Sequence, residues 1–188
     1  MTLSKIIPLF LVVLAGCPIM PGSRLYEPLP QWERQYFETA RRDVFPDDVR
    51  KSPDEYKDTL VVWTGIIKTI SIDTEDNERV ARFTIEHHYF DWIEDNGIQR
   101  EKFFLSPRGE GMFALGWAID PARYDQFMED FVVGDMIIAY GNPSMIKDQL
   151  ISFYPTFTIR PVKPQWYRTD ILDYGRPGEP SKVLKTAF

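Results

Sequence analysis

The chain has one cysteine and two histidines in 188 residues, and fewer basic than acidic side chains, 22 against 28. It also lacks any apolar stretch of membrane-spanning length. Each shortage narrows what it can do. A metal site needs several nitrogen, sulfur or carboxylate ligands brought together, and the clustered candidates are Glu86, His87 and His88. Adjacent residues of a strand point to opposite faces, so these two imidazoles are poorly placed to grip one ion. Gly109 and Gly111 lack the length and the following lysine of a phosphate loop, and no other pattern implies a cofactor. Nucleophilic catalysis asks for a Ser or Cys beside a base and an orienting acid, and neither histidine follows such a motif. Acidic pairs such as Asp47-Asp48 and Glu94-Asp95 read as solvated loop. The expectation is a protein that is not an enzyme. A formal net charge of −6 argues against nucleic acid or an anionic membrane surface as main partner, since both reward clustered lysine and arginine.

What is present begins at the N-terminus. Residues Met1 to Gly16 carry one charged side chain, Lys5, followed by an apolar run from Ile6 to Leu14. That run has the length of a signal-peptide core, roughly 7–15 residues, and falls short of the roughly 20 needed to span a bilayer as a helix. Ala15 and Gly16 then lead into Cys17. A lone cysteine in an exported chain would be an unpaired thiol in an oxidising compartment. Leu14-Ala15-Gly16-Cys17 resembles the lipobox of bacterial lipoproteins, in which the thiol takes a diacylglycerol and cleavage follows. Lipidation removes the anomaly and makes a membrane the partner of Cys17. Two or three acyl chains, at about 0.8 kcal/mol per buried methylene, hold such an attachment permanently. Pro18 stands where an aspartate commonly retains lipoproteins in the inner membrane, so the expected destination is the outer membrane.

Proline punctuates Pro18 to Pro30, which reads as a tether. Gln31 to Arg42 places Trp32, Tyr36, Phe37 and Ala40 at near-helical spacing, a short amphipathic helix. Ser52-Pro53-Asp54-Glu55 looks like a capping box with proline at the first helical position. A long strand over Thr59 to Ile72 follows, with Gly65 near its middle to permit a bulge or sharp bend. After the polar turn Asp73 to Glu78, the run Arg79 to His88 alternates cleanly, with Ala81, Phe83, Ile85 and His87 on one face. Within the charged excursion Asp91 to Gly111, Phe103-Phe104-Leu105 suggests a short strand. Met112 to Trp117 is the next strand. Asp120-Pro121 then caps a helix whose apolar face is Tyr124, Phe127, Met128 and Phe131. Strand Asp135 to Gly141, a turn at Asn142-Pro143-Ser144 and a last strand Leu150 to Ile159 complete the order strand, strand, strand, helix, strand, strand. That order is the signature of an OB-fold-like five-stranded barrel with a helix between strands three and four; a β-sandwich with an inserted helix is the alternative. The expected division is signal peptide 1–16, lipid-anchored tether with a short helix 17–50, barrel 51–161 and extended tail 162–188.

This series of pieces resembles the starvation-inducible outer-membrane lipoproteins of the Slp family. The residues that carry the likeness are Tyr56-Lys57 running into Val62-Trp63-Thr64-Gly65-Ile66-Ile67, then Gly111-Met112-Phe113 leading to Ile119-Asp120-Pro121 and Tyr124. Val133-Gly134-Asp135 through Tyr140-Gly141, Tyr154-Pro155, Trp166 and Asp173-Tyr174-Gly175 extend it. The Asp91 to Lys102 excursion is more charged than the family pattern, and Arg108-Gly109-Glu110 replaces a plainer turn. The resemblance implies a lipid-anchored outer-membrane protein, and no catalytic residue or specific ligand.

The functional expectation is a non-catalytic interaction or structural module serving an envelope protein partner. The alternative is a glycan- or small-ligand-binding lipoprotein that uses an aromatic face of the barrel. Its stacking candidates are Trp63, Trp117, Tyr140 and Tyr154, drawn from a wider set that includes Trp92 and Phe153. His87 is expected at the barrel rim and His88 facing solvent or the tail.

Overall fold

The computed structural model describes residues 24–26, 28, 30–75, 78–90, 93–94, 103–145, 150–169 and 176; at 24, 25, 75, 93, 94, 154 and 155 it describes the backbone alone. Cys17, Trp92 and parts of the expected tether, excursion and tail lie outside those residues. In chain order the elements are β1 (Arg24–Leu25), α1 (Gln31–Thr39), α2 (Pro46–Lys51), α3 (Pro53–Tyr56), β2 (Val61–Glu75) and β3 (Glu78–His87). Then come β4 (Ile93–Glu94), β5 (Phe103–Leu105), β6 (Met112–Ile119), α4 (Tyr124–Asp130), β7 (Met136–Met145), β8 (Ile151–Val162) and β9 (Tyr167–Thr169).

Five of the strands close into a barrel in the order β2-β3-β6-β8-β7. Numbered within the barrel, that is first, second, third, fifth, fourth, and back to the first. Among these five strands only the β6–β8 pair runs parallel, and α4 lies between the third and fourth strands, which makes the domain OB-fold-like. Closure leans on the length of β2. Its first part, Val61 to Ile66, pairs with β7, while Gly65 to Glu75 pairs with β3. Gly65 is where both neighbours meet it. A Cβ there would lie 2.3 Å from the Glu86 carbonyl oxygen and 2.5 Å from Ile85 Cγ2, so the glycine permits a close backbone approach. The bulge itself falls between Ile67 and Thr69. Replacing Gly65 with alanine is expected to cost about 1–3 kcal/mol through overpacking, read as a lower urea midpoint; an unchanged midpoint would mean that β3 moves aside freely.

Alternation fills the barrel from each strand, with Val61, Trp63, Ile67, Phe83, Ile85 and Phe113 among the buried side chains. At one end α4 closes the core, Phe127 and Phe131 meeting Phe83 at ring centroid distances of 6.0 and 5.4 Å. Asp120 Oδ1 accepts the Ala122 N–H at 2.9 Å, the cap expected there, ahead of a single 3-10 turn over Pro121–Arg123. Met128, expected on the apolar face, is exposed, because α4 is too short to bury a second stripe.

A second core lies on the outer side of β2 and β7. There Val62, Met136, Ile138 and Tyr140 are covered by Tyr26, Phe37, Phe90, Phe103 and Val162. β7 is therefore buried on both faces, which is why its sequence Met-Ile-Ile-Ala-Tyr does not alternate. The expected tether ends earlier than residue 50: from Tyr26 onward the described N-terminal residues belong to the folded domain, since they cover this face. The tail residues of β9 likewise join the body, pairing in parallel with β5. Three local expectations change. The Ser52 side chain makes no cap bond to α3. Helix α2, with Pro46 at its start and Val49 fully buried, was not foreseen. Pro143 sits inside β7 and not in a turn, accommodated where the β7–β8 register shifts between Gly141 and Pro143.

Candidate functional site

Of the four aromatic candidates, two are excluded as stacking platforms. Trp63 is 1% exposed and its indole N–H donates to the Val44 carbonyl at 2.7 Å inside the barrel. Tyr140 is fully buried beneath α1. Both rings are covered by protein. Tyr154 lies in β8 with its side chain outside the described residues. Trp117, half-buried near the end of β6, has a face on a groove.

Tyr140 instead belongs to a buried polar cluster that carries the N-terminal segment. Glu33 of α1 is fully buried, and its Oε1 accepts from the Tyr26 hydroxyl at 2.7 Å and from the Tyr140 hydroxyl at 2.8 Å. Arg160 of β8 approaches Glu33 Oε2 at 3.3 Å and donates to the Tyr26 oxygen at 2.6 Å. A carboxylate removed from water costs several kcal/mol unless its lone pairs are met; here two phenols and a guanidinium meet them. Burial, followed by the Glu33 charge, pushes both phenol pKa values above the ordinary 10.0, so Tyr26 and Tyr140 stay protonated donors. Nothing in the helical spacing around Glu33 distinguishes it from a solvated charge.

The histidines are also placed differently from expectation. Both are buried. The His87 ring lies edge-on to Trp63, Phe45, Tyr89 and Phe113, and its Nδ1 accepts the Glu110 N–H at 3.0 Å. Desolvation depresses its pKa to about 3, with the neighbouring His88 and Arg50 adding to the shift. It is therefore a neutral acceptor that holds the 108–111 turn. Gly109 presses so closely on it that a Cβ would fall 1.7 Å from the His87 carbonyl oxygen. His88 Nδ1 donates to the Ser106 carbonyl at 2.8 Å. Its Nε2 has no hydrogen bond and lies 3.5 Å from Glu86 Oε2. Glu86 is in turn paired with Lys68, which holds its carboxyl below the usual range. Among the described residues no group of three or more His, Cys, Asp or Glu side chains could hold a metal ion.

The groove beside Trp117 is where the barrel opens. β6 and β8 pair only over Phe113–Leu115 and Ile151–Phe153, although β6 continues to Ile119 and β8 to Val162. Past the paired stretch a groove of about 550 Å³ is lined by residues of both strands and of α4, with Trp32 of α1 as a further wall. Trp32 is 48% exposed. Asp120, Arg123, Gln126 and Asp130 supply the polar lining, and Arg123 Nε donates to Gln126 Oε1 at 3.2 Å. The sequence placed Trp32 on a helix and attached no site to it.

No family model matches the chain, and no curated protein matches it. Among solved structures, a small single-stranded DNA-binding protein from Streptomyces coelicolor is similar at 11% identity and a TM-score of 0.35, over 53% of this chain and 88% of that one. One expectation is corrected at this point. Nucleic acid had been set aside as a partner on net charge; with a single-stranded DNA-binding protein among the similar structures, that exclusion is not kept. Whole-chain charge is a sum over all faces and does not fix the character of any one of them.

Proposed function

We propose that the chain is a lipid-anchored cell-envelope protein of the Slp type, delivered to the outer membrane, whose OB-like barrel is a non-catalytic interaction module. The run Leu14-Ala15-Gly16-Cys17 behind a signal-length apolar stretch carries the anchoring half of this reading. Support for the other half comes from the polar side chains with chemical potential. Glu33, Tyr26, Tyr140 and His87 are engaged by other residues of the fold, and the groove beside Trp117 is left as a recognition surface. A glycan- or small-ligand-binding role is the second reading, favoured by the two tryptophans, Trp32 and Trp117, on that groove.

The anchor is tested in cells fed radiolabelled palmitate. The wild-type protein is expected to carry label and sediment with outer-membrane fragments, while Cys17→Ala carries none and stays as an uncleaved precursor. Wild-type protein that is unlabelled and freely soluble would sink the anchoring proposal.

A further inference from the structure

β-strands bear main-chain donors and acceptors on both edges, and an edge left open is a template for another strand. In this barrel β6 meets β3 along its whole length, from Arg79↔Ile119 to Glu86↔Met112. Its other edge is engaged only at Phe113–Leu115. Gly116 to Ile119 thus run on with that edge unladdered, Trp117 to Ile119 lining the groove, and among the described residues no further main-chain bond to Gly116, Trp117, Ala118 or Ile119 fills it. The β8 edge opposite is in the same condition at Thr158 and Ile159. Pro161, one of the groove residues, fits that state, because a strand tolerates proline where the missing N–H points away from a ladder.

We infer that this groove binds an extended peptide segment of a partner protein by strand addition along Gly116–Ile119, with a basic side chain of the peptide seated between the tryptophans. This rests on the interaction-module reading and names what that module takes. Main-chain complementarity supplies the register, as in other sheet-edge recognition. Charge selects the side chain. Two aspartates, Asp120 and Asp130, line the groove against one arginine, and Arg123 is already turned to Gln126. Lys163 takes the Glu129 and Asp130 carbonyls and the Asp135 carboxylate, which leaves the Asp130 carboxylate to the groove. Trp32 and Trp117 add ring faces on which a lysine or arginine head group is attracted by the quadrupole. A neutral sugar would use the rings but would have no use for an open strand edge.

The test uses the folded lipid-free protein and a seven-residue capped peptide alternating lysine and valine, followed by NMR. Binding is expected to shift the amides of Gly116 to Ile119 and the Trp117 indole. A peptide N-methylated at alternate residues, unable to donate, is expected to bind at least about tenfold more weakly, the scale of one or two lost main-chain bonds. Asp130→Lys and Trp32→Ala, both at groove positions away from the core, are expected to weaken the unmodified peptide by a similar factor while leaving the unfolding midpoint in place. Equal binding of the N-methylated peptide would overturn strand addition. So would groove shifts caused by chito-oligosaccharides or a single-stranded oligonucleotide but not by the peptide. Photo-crosslinking in cells separates this failure from failure of the broader reading. A protein captured from a probe at Glu78 but never from one at Ala118 would leave an interaction module with a different face, whereas capture from neither would remove both.

Discussion

Glu33→Ala is expected to lower the unfolding free energy by about 3–5 kcal/mol, the cost of removing one member of a buried, hydrogen-bonded charged cluster. The alanine removes the carboxylate that two phenols and a guanidinium face in a place water reaches poorly. Tyr140 is fully buried and Tyr26 nearly so, and neither hydroxyl can turn outward without moving α1. Glu33→Gln keeps one carbonyl oxygen for the phenols and loses the charge that Arg160 faces, so a smaller loss of about 1–3 kcal/mol is expected. Urea unfolding followed by tryptophan fluorescence measures both. Hydrogen exchange adds where the loss falls: α1 and the residues near Tyr26 are expected to open before the barrel, because their remaining hold is the packing of Phe37 and Tyr36 on the outer core. An alanine variant with an unchanged midpoint would show that this apolar packing alone holds the segment.

Acid is expected to weaken the wild-type fold through His87. Its folded pKa lies near 3 against an ordinary value of 6.5. Below 6.5 the unfolded chain takes up a proton that the folded chain refuses. The contribution is thus complete above pH 6.5 and drains as the pH falls toward 3. By pH 4 the loss from this one group reaches about 3 kcal/mol. His87→Gln cannot titrate and still offers an acceptor to the Glu110 N–H. It is expected to be less stable than wild type at neutral pH, since a less well shaped side chain sits among four aromatic rings, yet to lose markedly less on acidification. Urea midpoints at pH 7 and pH 4 for the two proteins decide it. Parallel losses would assign the acid sensitivity to the carboxylates, among which Asp43 and Glu86 are held below their usual range by Arg41 and Lys68.

These two residues also show where sequence reading stops. His87 was put on the correct face of its strand by alternation with Ala81, Phe83 and Ile85. Its depth was misjudged because alternation says which side a residue takes and nothing about what closes over it; the 108–111 turn does that, and Gly109 permits the contact. In the sequence Glu33 is one charge among several of Gln31 to Arg42. Two of its partners lie 107 and 127 residues further on, and no local pattern reports such a distance.

Trp117 and Trp32 line one groove, and the sequence did not join them, since that depends on how α1 lies across the barrel. Trp63 and Trp117 looked alike as strand tryptophans; one is the centre of the interior and the other sits where β6 leaves β8.

By itself the sequence determined the succession of strands along the chain, the helix between the third and fourth of them, the Asp120 cap and the alternation within a strand, all of which are local features. It also determined that Cys17 is the one thiol. Only the tertiary structure decided that β7 is covered on both faces, that Glu33 and His87 are interior, and that β6 and β8 part to leave an open edge. Those are matters of which distant segments share a surface, and burial there follows from the packing of the whole and not from the period of any one strand.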